Sequence, residues 1–188
     1  MKWQTLSSTY LIENPWLTVR KDSCKLSNGK QIDDYFVLEY TDWCNVLALT
    51  PEMDVVLTKQ YRHGLGQIGL ELPGGMVDET GESAALKAIQ RELLEETGYG
   101  GGQFTHLAAL SPNPAIQTNL THSFIAENVE LIGAQELEST EDIEVVLKPL
   151  HDVIQLAVTG KLMQSMHVST LFLALAHLGR VSTIDLKP

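Results

Sequence analysis

Two cysteines in 188 residues leave little room for sulfur chemistry. Cys24 and Cys44 form neither a Cys-x-x-Cys pair nor a metal-ligand spacing, which excludes a disulfide framework and reads as two buried free thiols in a reducing compartment. Cationic charge is also scarce. Thirteen Lys and Arg stand against 24 Asp and Glu, for a net charge of −11, and no run of basic residues forms a stripe. A partner recognised through a phosphate backbone is therefore excluded: no nucleic acid is expected. Long apolar runs are missing as well. "LFLALAHL" is too short to cross a bilayer and is interrupted by His177, and the opening "MKWQTLSSTYLIENPW" has no continuous apolar stretch of the kind a secretory signal needs. We expect a cytoplasmic chain with no membrane partner. Internal repeats, low-complexity tracts and proline-rich linkers are absent.

What is present is a β-rich first third. "WLTVRKDSCKL" and "QIDDYFVLEY" flank "SNGK", and Asn-Gly is a strong hairpin signal. "NVLALT" and "VVLTKQYR" enclose the turn "PEMD" and make a second antiparallel pair. "LELPGGMVDETGE" reads as a short strand entering a glycine-rich loop, followed by a helix from Ala84 to Thr97 that Ser83 caps and Gly98 stops. "FTHLAAL" and "THSFIAE" are strand-like and joined by the loop "SPNPAIQTN". The acidic "QELESTEDIE" precedes "VVLKPL", and two helical patterns close the chain, Leu150 to Val158 and about Gln164 to Leu178. The whole is an α+β arrangement. Residues 1–45 form a small N-terminal antiparallel β appendage, 46–180 the main domain and 181–188 a loose tail.

The segment "RELLEETGY" carries the chemistry. On a helix, Glu92, Glu95 and Glu96 stand at i, i+3 and i+4 and share one face, where like charges repel and the helix C-terminus disfavours carboxylates. Leu86, Ile89, Leu93 and Thr97 make the core-facing stripe, with small Ala85 and Ala88 one turn before the glutamates. Crowded carboxylates become favourable around a hard divalent cation, because Mg²⁺ takes oxygen ligands and keeps waters and substrate phosphates in its shell.

These residues resemble the Nudix hydrolase family, whose signature is a glycine, a glutamate six residues on, then Arg-Glu-aliphatic-x-Glu-Glu-x-Gly and an aliphatic or aromatic residue. "RELLEETGY" matches the second half at every position. In "PGGMVDETGES" Gly75 to Glu82 is seven residues and Glu82 to Arg91 is nine, each one more than the family spacing. Either the helix starts early or it carries a one-residue bulge. The resemblance implies a Nudix-type α/β/α sandwich of mixed sheet and helices. It further implies Mg²⁺, with Mn²⁺ as substitute, held by Glu92, Glu95, Glu96 and the Gly74 carbonyl. Arg91 would orient the glutamates. The reaction it implies is attack of an activated water on a diphosphate, with Glu95 and Glu96 among the catalytic residues.

Outside that box, "NPWLTVRKD", "KQYRHGLGQIGLELPGG", "EDIEVVLKPL" and "TGKLMQSMHVSTLFLAL" look like the branch that hydrolyses ADP-ribose and other nucleotide sugars. That likeness implies a substrate contact for Arg62 and a general base in the acidic segment, Glu141 or else Glu138. It implies base stacking by Trp16 and Tyr35, one from each subunit of a homodimer. The β appendage points to the same assembly, since so small a sheet has little core of its own. Trp16 and Tyr35 could equally pack that sheet. His63, His122 and His167 have no spaced histidine or cysteine partner and read as structural or surface residues. "SPNPAIQTN" reads either as a loop over the substrate or as a bare connection. The leading function is Mg²⁺-dependent hydrolysis of ADP-ribose or another nucleoside diphosphate sugar, with a small-molecule nucleotide as partner. The alternatives are a nucleoside triphosphate or dinucleotide polyphosphate hydrolase, and a Nudix module that binds a nucleotide without cleaving it.

Overall fold

The structure, a computed structural model, describes residues 1–181, and most of the expected tail at 181–188 lies outside the described residues. The chain divides into two compact units, residues 1–42 with 111–120, and residues 43–110 with 121 onward.

The first unit is a three-stranded antiparallel sheet in the order β1-β2-β3, made of β1 (Gln4–Asn14), β2 (Leu17–Lys25) and β3 (Gln31–Glu39). The Asn-Gly signal between β2 and β3 holds. Asn28 Oδ1 accepts the Lys30 N–H at 3.0 Å, and Gly29 takes φ +85°, a region that glycine enters without a Cβ penalty. Asn14 makes the β1–β2 turn by accepting the N–H groups of Trp16 and Leu17, both at 2.9 Å. All eleven residues of β1 are exposed, including Leu6, Tyr10, Leu11 and Ile12. Residues 111–120 close on this sheet: the Leu38 N–H donates to the Ile116 carbonyl at 2.7 Å, and the Thr118 N–H to the Leu38 carbonyl at 3.2 Å. The segment "SPNPAIQTN" thus commits main-chain groups to β3.

The second unit follows β4 (Trp43–Leu49), β5 (Asp54–Arg62), β6 (Gln67–Glu71), β7 (Gly74–Met76), α1 (Ala84–Thr97), β8 (Tyr99–Gly100), β9 (Gln103–Leu110), β10 (Thr121–Glu127), β11 (Glu130–Leu131), β12 (Glu144–Pro149), α2 (Leu150–Val158) and α3 (Ser165–His177). Its main sheet runs β12-β5-β4-β10-β9, with β6 on β5 and β7 on β4. The β4–β10 pair is parallel and the other pairs are antiparallel, so the sheet is mixed. Alternation along the strands divides the core. Val46, Ala48, Val56, Phe124 and Ala126 pack with Ala88, Ile89 and Leu93 of α1. Leu47, Leu49, Val55, Leu57 and Ile125 pack with Val153 of α2 and Leu171, Ala174 and Leu175 of α3. Successive strand residues point to opposite faces, so α1 covers one face and α2 with α3 the other. This is a helix–sheet–helix sandwich. Among the described residues no helix is long and apolar enough to cross a membrane.

Two local expectations need correction. Ser83 precedes α1 but makes no side-chain cap, because at φ −102°, ψ 8° it lies outside the extended conformation that aims a capping hydroxyl at the helix N–H groups. The spacing places no bulge in the helix, which is continuous α from Ala84 to Thr97; Glu82 lies exposed in the turn before it. Gly98 does stop the helix, in the left-handed region at φ +74°, with its N–H donating to the Leu94 carbonyl at 2.7 Å.

Candidate active site

The site begins where the sheet opens. β4 pairs with β5 only at Ala48 and Leu49, while its first three residues pair with β7. A cleft of about 350 Å³ occupies that opening, lined among others by Asn45, Arg62, Gly74, Gly75, Gln164 and His167. The volume is within the range of small-molecule sites. Glycine is required at Gly74, where a Cβ would collide with the Cys44 carbonyl, while a Cβ at Gly75 would displace the Glu92 carboxylate.

α1 brings its glutamates to those glycines. Glu96 is buried at 5 % exposure and accepts the Gly74 N–H at 3.0 Å. Burial pushes its carboxyl up to about 8; the Gly74 bond opposes this, and the charges of Glu92 and Glu141 add to it. Burial likewise lifts Glu92 to about 7 against the pull of Arg91, with Glu95, Glu141 and Asp78 contributing. Two carboxyls that resist ionisation, one buried and one half-buried, fit a hard divalent cation, which would supply the missing opposite charge through oxygen ligands. Arg91 Nη1 donates to Glu95 Oε2 at 3.1 Å, while Nη2 lies 3.2 Å from Glu92 Oε1 and 3.3 Å from both Asp78 oxygens. Arg91 thus ties the acidic face together. Among the described residues no group of three or more His, Cys, Asp or Glu is arranged to hold an ion.

The acidic segment reaches this helix through contacts that its sequence did not suggest. Gln135 Nε2 donates to the Glu96 carbonyl at 2.7 Å and to the Ile143 carbonyl at 3.2 Å, and the Glu136 N–H donates to the Glu95 carbonyl at 2.9 Å. Carbonyls of a last helical turn have no intrahelical partner, so these bonds both finish α1 and anchor the segment. Glu141 then accepts the Glu138 N–H at 2.9 Å, and its charge is felt by Glu92 and Glu96.

Arg62 lines the cleft, but its fork is engaged. Nε and Nη2 donate to Glu71 Oε1 and Oε2 at 2.8 and 2.6 Å. Glu71 is 1 % exposed; burial pushes its carboxyl up, yet the Arg62 bonds outweigh this and hold it below the usual range, aided by Gln164 at 2.9 Å. His167 stands beside this network. Its Nδ1 accepts the Leu72 N–H at 3.2 Å, and burial pushes the ring down to about 4, so it is neutral at physiological pH, in keeping with a structural role. Glu71, Gln164 and Gln135 went unnoticed in the sequence, where only the alternation of "GLEL" around Glu71 hinted at an inward-facing acid. Asn45, also in the cleft lining, keeps a buried Oδ1 with no hydrogen-bond partner.

The stacking pair belongs to the first unit. Trp16, in the β1–β2 turn, is 78 % exposed and so does not pack its own sheet. Tyr35 is half-buried, meets Trp3 edge-on with centroids 5.6 Å apart, and donates its hydroxyl to the Ala115 carbonyl. Tyr35 pairs with Asp22, six residues along β2 from Trp16, on the order of 20 Å. No single base can lie between these two rings of one chain.

Comparison with known proteins agrees with this geometry. Residues 3–38 match the model of a nucleoside diphosphate sugar hydrolase N-terminal domain, and residues 43–165 match the NUDIX domain. An ADP-ribose pyrophosphatase of Bacillus subtilis is 29 % identical over 154 residues, 81 % of this chain and 82 % of that protein. A GDP-mannose pyrophosphatase of Escherichia coli is 31 % identical over 134 residues, 66 % of this chain and 68 % of that protein. A crystal structure of an ADP compounds hydrolase superposes with a TM-score of 0.82 at 23 % identity, covering 96 % of this chain and 98 % of the other, and so shares the fold.

Proposed function

Because the chain belongs to the Nudix hydrolase family, we propose that it cleaves the diphosphate bond of a nucleoside diphosphate sugar, ADP-ribose foremost, releasing a nucleoside monophosphate and a sugar phosphate. The observation that carries this reading is the pair of carboxyls, half-buried Glu92 and buried Glu96, raised to about 7 and 8 against the glycines of an open cleft. A divalent cation held by Glu92, Glu96, Glu95 and the Gly74 carbonyl supplies charge neutralisation at the diphosphate; oxygen donors alone suit Mg²⁺, with Mn²⁺ as substitute.

The chain's own groups do the remainder. Glu141 takes the proton of the attacking water as the new P–O bond forms and the bridging P–O bond breaks, a role supported by its proximity in charge to both glutamates. Arg91 holds the acidic face in register. Arg62, with two donors on Glu71, offers the others to a phosphate or ribose oxygen. Trp16 presents an exposed face for the base, and Tyr35, with its hydroxyl engaged, offers its ring. The uncovered apolar residues of β1 support a homodimer.

The test is a panel of nucleotide sugars and triphosphates assayed with Mg²⁺ for monophosphate release, wild type against Glu96→Gln. Nucleotide sugars are expected as the preferred substrates, with turnover reduced about a hundred-fold or more in the variant. Preference for triphosphates would replace the substrate class, and normal turnover in the variant would remove Glu96 from the cation site.

A further inference from the structure

Away from the cleft, two histidines face each other across neighbouring strands. His122 Nδ1 of β10 lies 3.4 Å from His106 Nε2 of β9, with ring centroids 5.5 Å apart. A β-bulge creates this contact. The register pairs Ser123 with Ala108 and then Phe124 with His106, passing over Leu107. In an unbroken ladder Leu107 would oppose Phe124, and His106 would point to the other face of the sheet. The inserted residue turns His106 onto the face of His122, where the Phe124 ring supports it at 4.9 Å.

The pair is set up as a ligand set would be. Burial together with the neighbouring His122 holds the His106 ring below its usual range, against an opposing pull from the main chain at Ala108, so the ring is neutral near pH 7. With Nε2 turned to His122, the nitrogen left for the Ala108 bond is Nδ1. A histidine whose far N–H is held by a main-chain carbonyl has its tautomer fixed and its other lone pair aimed, the outer-sphere pattern that metal-ligating histidines share. Spacing agrees. Two imidazole nitrogens bound at about 2.0–2.1 Å to a tetrahedral ion stand about 3.3–3.4 Å apart. His106 is exposed and His122 half-buried, so solvent reaches the pair.

We propose that His106 Nε2 and His122 Nδ1 chelate one borderline transition ion, Zn²⁺ or Ni²⁺, in a second cation site separate from the carboxylates of α1. The remaining positions go to water or to a donor of a bound ligand, making an open centre rather than a closed structural one. On binding, the ion takes the place of the hydrogen between the rings, and that proton moves to the far nitrogen of the same ring. Imidazole nitrogen selects such ions over Mg²⁺, which the carboxylates prefer. The site is independent of the hydrolase reading.

The intact chain, stripped with EDTA and returned to saturating Mg²⁺ so that the carboxylates are occupied, is titrated with Ni²⁺ by calorimetry at neutral pH. One equivalent is expected, weakened at least about ten-fold by His106→Ala and by His122→Ala and retained by Glu96→Gln. Since an alanine beside Phe124 can disturb the sheet, His106→Gln and His122→Gln serve as folded counterparts, and Zn²⁺ should shift the NMR resonances of those two ring nitrogens in the wild type. Failure to bind Ni²⁺ under Mg²⁺, binding indifferent to the histidine variants, or binding lost with Glu96→Gln would each overturn the site.

Discussion

Gln135 and Glu96 are joined by a 2.7 Å hydrogen bond from the side-chain amide of one to the main-chain carbonyl of the other, and the same amide reaches Ile143 at 3.2 Å. The bond links the end of the helix that carries the Glu92 and Glu96 carboxyls to the segment that carries Glu141. Gln135→Ala removes both donors and leaves two carbonyls short of partners, a local cost of about 1–3 kcal/mol if they stay buried. As a positioning residue it should govern turnover rather than binding. We expect kcat to fall about ten-fold with KM for the nucleotide sugar unchanged, and hydrogen exchange to rise at 136–142. A change in KM alone, with kcat intact, would show that the clamp does not position the base.

Stability of the chelated protein should depend on pH with a sign set by Glu92 and Glu96. Both have folded values, about 7 and 8, above the ordinary 4.5. The native state therefore binds more protons than the unfolded chain between those limits, and stability falls as pH rises. His167, pushed down to about 4 from 6.5, and His106, also lowered, act in the opposite sense below pH 6.5. Glu71 and Asp22, whose carboxyls sit below their usual range, lose their stabilising effect only in acid. From pH 6.5 to 8 the glutamate slope stands alone among these groups. A loss on the order of 1–2 kcal/mol is expected over that interval in EDTA. Mg²⁺ should cancel it, since cation binding requires the deprotonated form. Thermal melts of wild type and Glu96→Gln check this; the same slope in both would remove the assignment.

Local order was legible and long-range partnership was not. "RELLEETG" spelled a helix, its stop and its acidic face within eight residues, and Asn28-Gly29 spelled a turn, because each is decided by neighbours in sequence. Ser83 was misread for a conformational reason, since a capping residue type without extended backbone cannot cap. The Arg62–Glu71 pair closes through Gln164, 93 residues from Glu71, and through His167, 95 residues from Leu72, and no periodicity encodes such a meeting. His106 and His122 meet only because Leu107 is passed over in the ladder, a register fact that alternation along either strand would contradict.

Arg62 forms the ion pair that holds Glu71, which is 1 % exposed and ionised. Arg62→Met leaves that carboxylate buried and unpaired, at a cost of about 3–5 kcal/mol. Arg62→Met with Glu71→Gln should recover much of it, because an amide carries no charge to compensate. Denaturant unfolding of the two variants decides between this and a merely superficial pair, for which both losses would stay below about 1 kcal/mol.

Trp16 is the last and the most exposed of the residues in question. At 78 % exposure in the β1–β2 turn it buries little, so an alanine there should weaken the fold little. An indole left uncovered at a turn is costly to keep in water unless something stacks on it, and base stacking on an aromatic ring is worth on the order of 1–3 kcal/mol. Such binding acts alike on ground and transition states. Trp16→Ala should therefore raise KM for ADP-ribose about ten-fold or more while kcat stays within about two-fold. Tyr35→Phe, which keeps the ring and loses the bond to Ala115, should leave KM near wild type. Sedimentation must accompany the kinetics, because a proposed dimer that falls apart would mimic a binding loss. If Trp16→Ala remains dimeric and folded with KM unchanged, the base stacks elsewhere.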